Sequence, residues 1–121
     1  MIPVPTEYQD QCALVQWLEL IGLKFTAIPN GTWTPSKSQK AMNYKSGLRK
    51  GFPDMVVIIP KEKCKEERTV MLFIEMKREK GGIVSEHQKG WIDSINGVAD
   101  CEAVICEGFE KAQNYILTFL K

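Results

Sequence analysis

Polar and apolar positions alternate along this chain with two different periods, and the switches between them mark its elements. Residues 7–21 place Leu14, Trp17, Leu18 and Ile21 at steps of three and four. That spacing predicts a helix, with Thr6 as its cap and Gly22 as its stop. Residues 24–28 (KFTAI) alternate loosely and predict a strand, and Pro29-Asn30-Gly31 predicts a turn. A modest helix is expected over 36–47, from Ser36 to Gly47, followed by a break at Arg49-Lys50-Gly51-Phe52-Pro53.

The second half reads as strand, strand, helix, strand, helix. Residues 54–59 (DMVVII) are a short apolar run rich in β-branched side chains, closed by Pro60, and predict a buried strand. Residues 61–68 are all charged except Cys64 and predict an exposed turn. Residues 70–77 (VMLFIEMK) predict the hairpin partner of 54–59. Gly81-Gly82 interrupts the chain. Ser85 then caps a helix to about Asn96, with Gly97 as its stop. Residues 102–106 predict a short strand, and 109–120 a last helix with Phe109, Ala112, Ile116, Phe119 and Leu120 on one side. This order predicts an α/β fold, a central mixed β-sheet flanked by helices. The unit 70–106 should form a right-handed parallel crossover.

The 121 residues fit one domain spanning 1–121. The composition, 44% hydrophobic and 26% charged, is that of a globular chain. No apolar run approaches the roughly 18 residues needed to span a membrane. The start MIPVPTEYQD lacks the basic and apolar regions of a signal peptide, so a cytoplasmic location is expected. The four cysteines form no C-x-x-C pair, and His87 is the sole histidine, which argues against a zinc site. Cys12, Cys101 and Cys106 lie in apolar contexts and are expected in the core as free thiols; Cys64 is expected to be exposed. Trp17 and Trp91 sit on apolar helix faces and are also expected in the core. Net charge is only +1, but from Lys24 to Pro53 there are six basic residues and no acid. Lys37, Lys40, Lys45, Arg49 and Lys50 are therefore candidate phosphate contacts, against the plainer reading of a solvated helix face.

Glu75 and Lys77 end an otherwise apolar strand two residues apart, so both side chains leave on one face. Asp54 opens the preceding strand and can meet Glu75 if the two strands pair. Close carboxylates raise a pKa or recruit a cation, and hard oxygen donors suit Mg²⁺ or Mn²⁺. A lysine beside them can orient a water for attack on a phosphate. These residue types compose a hydrolytic phosphodiesterase site. A surface ion pair at a strand end is the plainer alternative.

Pro53-Asp54 followed by Glu75-Met76-Lys77 resembles the PD-(D/E)xK nuclease superfamily, whose restriction-endonuclease-like core this order of elements fits. A narrower resemblance runs through Ile28-Pro29-Asn30-Gly31, Arg49-Lys50-Gly51-Phe52-Pro53-Asp54, Leu72-Phe73-Ile74-Glu75-Met76-Lys77, Gly82-Ile83-Val84-Ser85 and Gln88-x-x-Trp91. It is to the VRR-NUC domain, in the stand-alone form carried by bacteriophages. The resemblance implies a divalent-metal endonuclease acting on structured or branched DNA, including four-way (Holliday) junctions, as a homodimer. A helicase or other replication-repair partner is compatible with that role. It implies Asp54 and Glu75 as metal ligands, the Met76 carbonyl as a third, Lys77 as the residue positioning water, and Gln88 and Glu7 as supporting residues. Asn30 is a weaker candidate contact, because Ile28 stands where the family often has histidine. His87 can be read as a base or phosphate contact near the site or as an exposed first-turn residue, and the second is favoured because Gln88 carries the match. Trp33 can stack on a base or anchor its loop. The competing functions are a DNA-binding module without turnover on the same fold, and a nuclease acting on RNA or on DNA ends.

Overall fold

Thr6 starts helix α1 (Glu7–Ile21) with a reciprocal cap. Its hydroxyl accepts the Gln9 N–H at 3.1 Å, and the Gln9 side chain accepts the Thr6 N–H at 2.9 Å. Gly22 ends the helix at φ 74°, a conformation that favours glycine. Strand β1 (Lys24–Ala27) follows, then helix α2 (Lys37–Lys45), capped by Ser36 and burying no residue. Strand β2 (Met55–Ile59) leads through a 3₁₀ turn at Lys61–Lys63 into strand β3 (Val70–Lys77). Helix α3 (Glu86–Asn96), strand β4 (Cys101–Glu107) and helix α4 (Phe109–Leu117) complete the chain. This computed structural model describes residues 2–29 and 34–121.

The sheet order is β1-β2-β3-β4. The first two pairings are antiparallel and the last is parallel, with α3 as the connection between β3 and β4. The sheet is therefore mixed, as the pattern predicted. Register then decides the layers. Met55 lies opposite Ile74, and Ile74 opposite Val104. Met55, Val57, Ile59, Val70, Leu72, Ile74 and Met76 accordingly share one face and are fully buried with Leu14 and Leu18 of α1 and Ala112 and Ile116 of α4. Each of these side chains other than that of Ala112 contributes about 1.5–3 kcal/mol by leaving water. The other face of the sheet carries Phe73, Glu75 and Lys77 and lies under α3. Glu75 is buried on that face, where alternation alone would put a partly exposed side chain.

Several expectations need correction. Cys64 is fully buried, not exposed. The charged turn folds back under the C-terminus: Cys64 bridges Leu120, and the Lys65 N–H donates to the Phe119 carbonyl at 2.8 Å. For the same reason α4 ends at Leu117 rather than 120, because the last residues pair with this turn instead of continuing the helix. Among the other cysteines Cys106 is buried, whereas Cys12 and Cys101 are only partly so. Trp17 is partly buried and packs against the core cluster, whereas Trp91 is partly buried and lies outside that cluster. Asp54 stands just before β2 rather than inside it.

Two side chains tie elements together through the backbone. Asn96, the last residue of α3, pairs with both main-chain groups of Ala103: its amide donates to the carbonyl at 3.0 Å and its oxygen accepts the N–H at 2.8 Å. Asp10 is 5% exposed and reaches from α1 to the start of α4, where Gly108 offers no capping side chain. Its Oδ1 accepts the Phe109 N–H at 3.2 Å, so a buried carboxylate meets the positive end of that helix. Its Oδ2 has no hydrogen-bond partner among the described residues. Asp10→Ala should therefore lower unfolding stability by about 1–2 kcal/mol, as loss of a cap does. Urea unfolding measures this, and an unchanged midpoint would refute the capping role.

Candidate active site

The site forms where β2 and β3 part. Asp54 is the last residue before β2, and its carbonyl still accepts the Ile28 N–H at 2.7 Å. Its side chain turns to β3, where Oδ2 accepts the Met76 N–H at 2.8 Å. A carboxylate thus replaces the ladder partner that β2 no longer provides. In an antiparallel ladder the N–H and C=O of one residue face the same edge. The Met76 carbonyl therefore faces the side on which Asp54 lies, while the Met76 side chain points into the core.

Glu75 and Lys77 flank Met76 and emerge on the opposite face of β3. Lys77 Nζ lies 3.7 Å from Glu75 Oε2. Gln88 reaches the same oxygen from α3, donating through Nε2 at 3.0 Å. Gln88 is itself held, because its Oε1 accepts the Ser85 N–H at 2.9 Å in the cap of α3. Glu7, in the first turn of α1, completes the group. Carboxylate oxygens of Glu7, Asp54 and Glu75 all lie within 4.8 Å of one another. The structure thus brings together all five residues that the sequence nominated, from three elements and the residue preceding β2.

Three carboxylates beside one lysine are under electrostatic load. Burial first, then the charge of Asp54 and hydrogen bonding with it, push the Glu75 carboxyl up to about 8, against a weaker opposing pull from Lys77. Glu7 is also raised, by burial and by Asp54, with Lys77 again opposing. A divalent cation fits this cluster: the donors are hard oxygens, and positive charge would relieve the repulsion that favours protonation.

The remaining candidates are more dispersed. Lys37, Lys40, Lys45 and Lys50 are exposed on α2 and the segment after it. Arg49 is exposed but folded onto its own segment: Nη1 donates to the Tyr44 and Leu48 carbonyls at 2.8 and 3.0 Å, and the guanidinium sits 3.9 Å from the Tyr44 ring centre. Asn30 and Trp33 lie outside the described residues. His87 is an exposed residue of the first turn of α3 and lines a shallow groove with Glu86, Gly90, Trp91 and Ser94. The sequence reading missed the role of Trp91, whose indole N–H donates to the Lys50 carbonyl at 2.9 Å. The only signal for it was the pair of glycine and proline breaks around Phe52.

The family model described as "VRR-NUC domain" matches residues 6–110, a span that holds all five site residues. The chain belongs to the VRR-NUC family. This is a nuclease family, so the protein is a hydrolase by descent. Two solved structures share the fold. One, titled "VRR_NUC domain protein", is 17% identical with a TM-score of 0.72, over 98% of this chain and 90% of that one. Another, titled "VRR_NUC domain", is 18% identical with a TM-score of 0.62, over 93% of this chain and 97% of that one. No curated protein matches in sequence. At these identities the structures establish the VRR-NUC fold, and the site rests on the geometry above.

The carboxyl cluster makes stability depend on pH in a defined direction. Glu75 rises from 4.5 to about 8 on folding, so between those values the native state holds a proton that the unfolded chain releases. Stability of the cation-free protein should therefore fall as pH rises from about 5 to about 8. Thermal melts should show a flatter profile in Glu75→Gln. They should also show a larger Mn²⁺-induced rise in Tm at pH 8 than at pH 6, since the cation competes with that proton. Equal Mn²⁺ effects at both values would contradict the assignment.

Proposed function

We propose that this protein is a Mg²⁺- or Mn²⁺-dependent endonuclease that hydrolyses phosphodiester bonds in structured DNA. The observation that carries the reading is the convergence of Glu7, Asp54 and Glu75 within 4.8 Å beside Lys77. Asp54 and Glu75 would hold the cation, with the Met76 carbonyl and the Glu7 carboxylate as further oxygen donors. Bound there, a divalent cation acidifies a water and offsets charge building on the phosphate. Lys77 orients the attacking water through its ammonium donors, and Gln88 keeps Glu75 in place. The hydrogen bond from the Met76 N–H does the same for Asp54.

Substrate choice follows from what the surface lacks as well as from family resemblance. The described residues hold no zinc cluster, and the exposed helix α2 carries Lys37, Lys40 and Lys45 and no acid. Lys37, Lys40, Lys45 and Lys50 contact phosphates, which positions DNA without selecting sequence. Only Nη1 of Arg49 is committed to the Tyr44 and Leu48 carbonyls, so its Nε–H and Nη2 donors can join them. Branched DNA, a four-way junction included, suits such shape-dependent binding, and a twofold dimer would supply the two centres that symmetric incision needs. The junction preference and the dimer are carried by resemblance to stand-alone VRR-NUC proteins.

Cleavage of labelled junctions, flaps, duplexes, single strands and RNA, each in Mg²⁺ and Mn²⁺, tests the proposal. Junction or flap cutting should exceed duplex cutting, and chelation should abolish it. Asp54→Ala and Lys77→Ala should each lower the rate by roughly 10²-fold or more, with DNA binding retained in Lys77→Ala. Undiminished cleavage by Asp54→Ala would refute the catalytic reading. Binding without turnover in the intact protein would favour a DNA-binding module, and preference for RNA or for DNA ends would reassign the substrate.

A further inference from the structure

The segment before Asp54 is clamped against the helix that supplies Gln88. Gly51 has φ 91°, a region that side chains rarely enter. A Cβ placed on it would lie 2.7 Å from the His87 carbonyl carbon and 2.8 Å from the Gln88 nitrogen. Both are main-chain atoms of the first turn of α3, so neither can rotate away. On one side of Gly51 the Lys50 carbonyl accepts the Trp91 indole N–H at 2.9 Å. On the other, the Phe52 ring meets Trp91 edge-on at 4.9 Å and Phe73 at 5.6 Å. Three consecutive residues thus seat one strip of backbone on α3, and the middle one can do so only without a side chain.

We propose that Gly51 is a positioning residue, whose close approach to His87 and Gln88 sets how deeply the first turn of α3 sits over the sheet and so lets Gln88 reach Glu75. This rests on the reading of Glu75 as part of a cation-dependent centre. The distances show how little tolerance there is. To bring a 2.7 Å contact out to the 3.0–3.4 Å range of tight real contacts, the turn must move by about 0.3–0.7 Å. Moved directly away from Glu75, that shift would carry the 3.0 Å Gln88–Glu75 bond to about 3.3–3.7 Å, beyond ordinary hydrogen-bond length. Gln88 cannot readily compensate, because its Oε1 is committed to the Ser85 N–H. Misplacement on this scale near reacting groups is costly to rate.

The test is a pair of mutant cycles, Gly51→Ala with Gln88→Ala and Trp91→Phe with Gln88→Ala, read in Mn²⁺ turnover and in the ¹⁵N–¹H signals of the Gln88 side-chain amide. Gly51→Ala should lower kcat by about tenfold, the lower end for loss of a supporting contact. KM should change less than twofold, and the Gln88 amide signals should move toward free-glutamine positions. In the Gln88→Ala background Gly51→Ala should cost less than twofold more, because its route of action is already gone. Trp91→Phe removes the N–H donor and trims the ring that meets Phe52 while leaving Gly51 in place; it should show a smaller loss that likewise vanishes without Gln88, and it decides the matter if Gly51→Ala does not fold. Wild-type kcat in Gly51→Ala, or penalties that multiply fully in the double variants, would overturn the proposal. If the intact protein turns over no substrate, the catalytic reading fails, and the amide signals still decide the link between Gly51 and Gln88. Their movement upholds it, and unmoved signals refute it.

Discussion

The hydrogen bond from the Met76 N–H to the Asp54 carboxylate is the constraint on which the rest of the site depends. It sits where a β-ladder would otherwise continue. By taking over a main-chain donor, Asp54 ends the β2–β3 pairing and leaves its carboxylate beside Glu75. The core makes this possible. Met55 and Ile74 are fully buried and form the last pair of the β2–β3 ladder, which holds the two strands in register up to the gap. Polar function is thus placed at the end of an apolar hairpin, where the sheet is rigid and its edge opens.

Electrostatics and geometry then pull in opposite directions. The fold brings three carboxylates together and provides one lysine and one amide in return. The cost is visible in Glu75, whose proton affinity is raised well above that of a free carboxyl. A carboxyl raised by burial and by a neighbouring like charge, set beside a lysine, is a marker of a candidate working site. By contrast, the pairs of Arg68 with Glu66 and Asp100 are exposed, lie outside the carboxylate cluster and carry little energetic weight.

The sequence made much of this legible, for identifiable reasons. Strong periodicity and good caps placed α1, α3, β2 and β3, and alternation put Glu75 and Lys77 on one face before any pairing was known. The five site residues were nominated from strand context together with resemblance to the VRR-NUC family. Contacts between segments far apart in the chain were not legible. Cys64 looked exposed because its neighbours are charged, yet the C-terminal residues that cover it lie more than fifty positions later. Trp91 looked like a core residue because its helix face is apolar, although its N–H serves the backbone at Lys50. Gly51 read only as a break, since nothing local announces that another helix will pass within van der Waals contact of it.

The paired hydrogen bonds between Asn96 and Ala103 have a consequence for how the sheet meets other chains. A side-chain amide there imitates the main chain of an added strand and occupies the outward donor and acceptor in the middle of β4. The outward Cys101 N–H is also taken, by the Val98 carbonyl. The outward groups that remain, the Cys101 carbonyl and the main chain at Ile105 and Glu107, are split by this clamp and make too short a template for an incoming strand. The parallel border of the sheet is in effect sealed against runaway polymerisation, by a single asparagine at the tip of a helix.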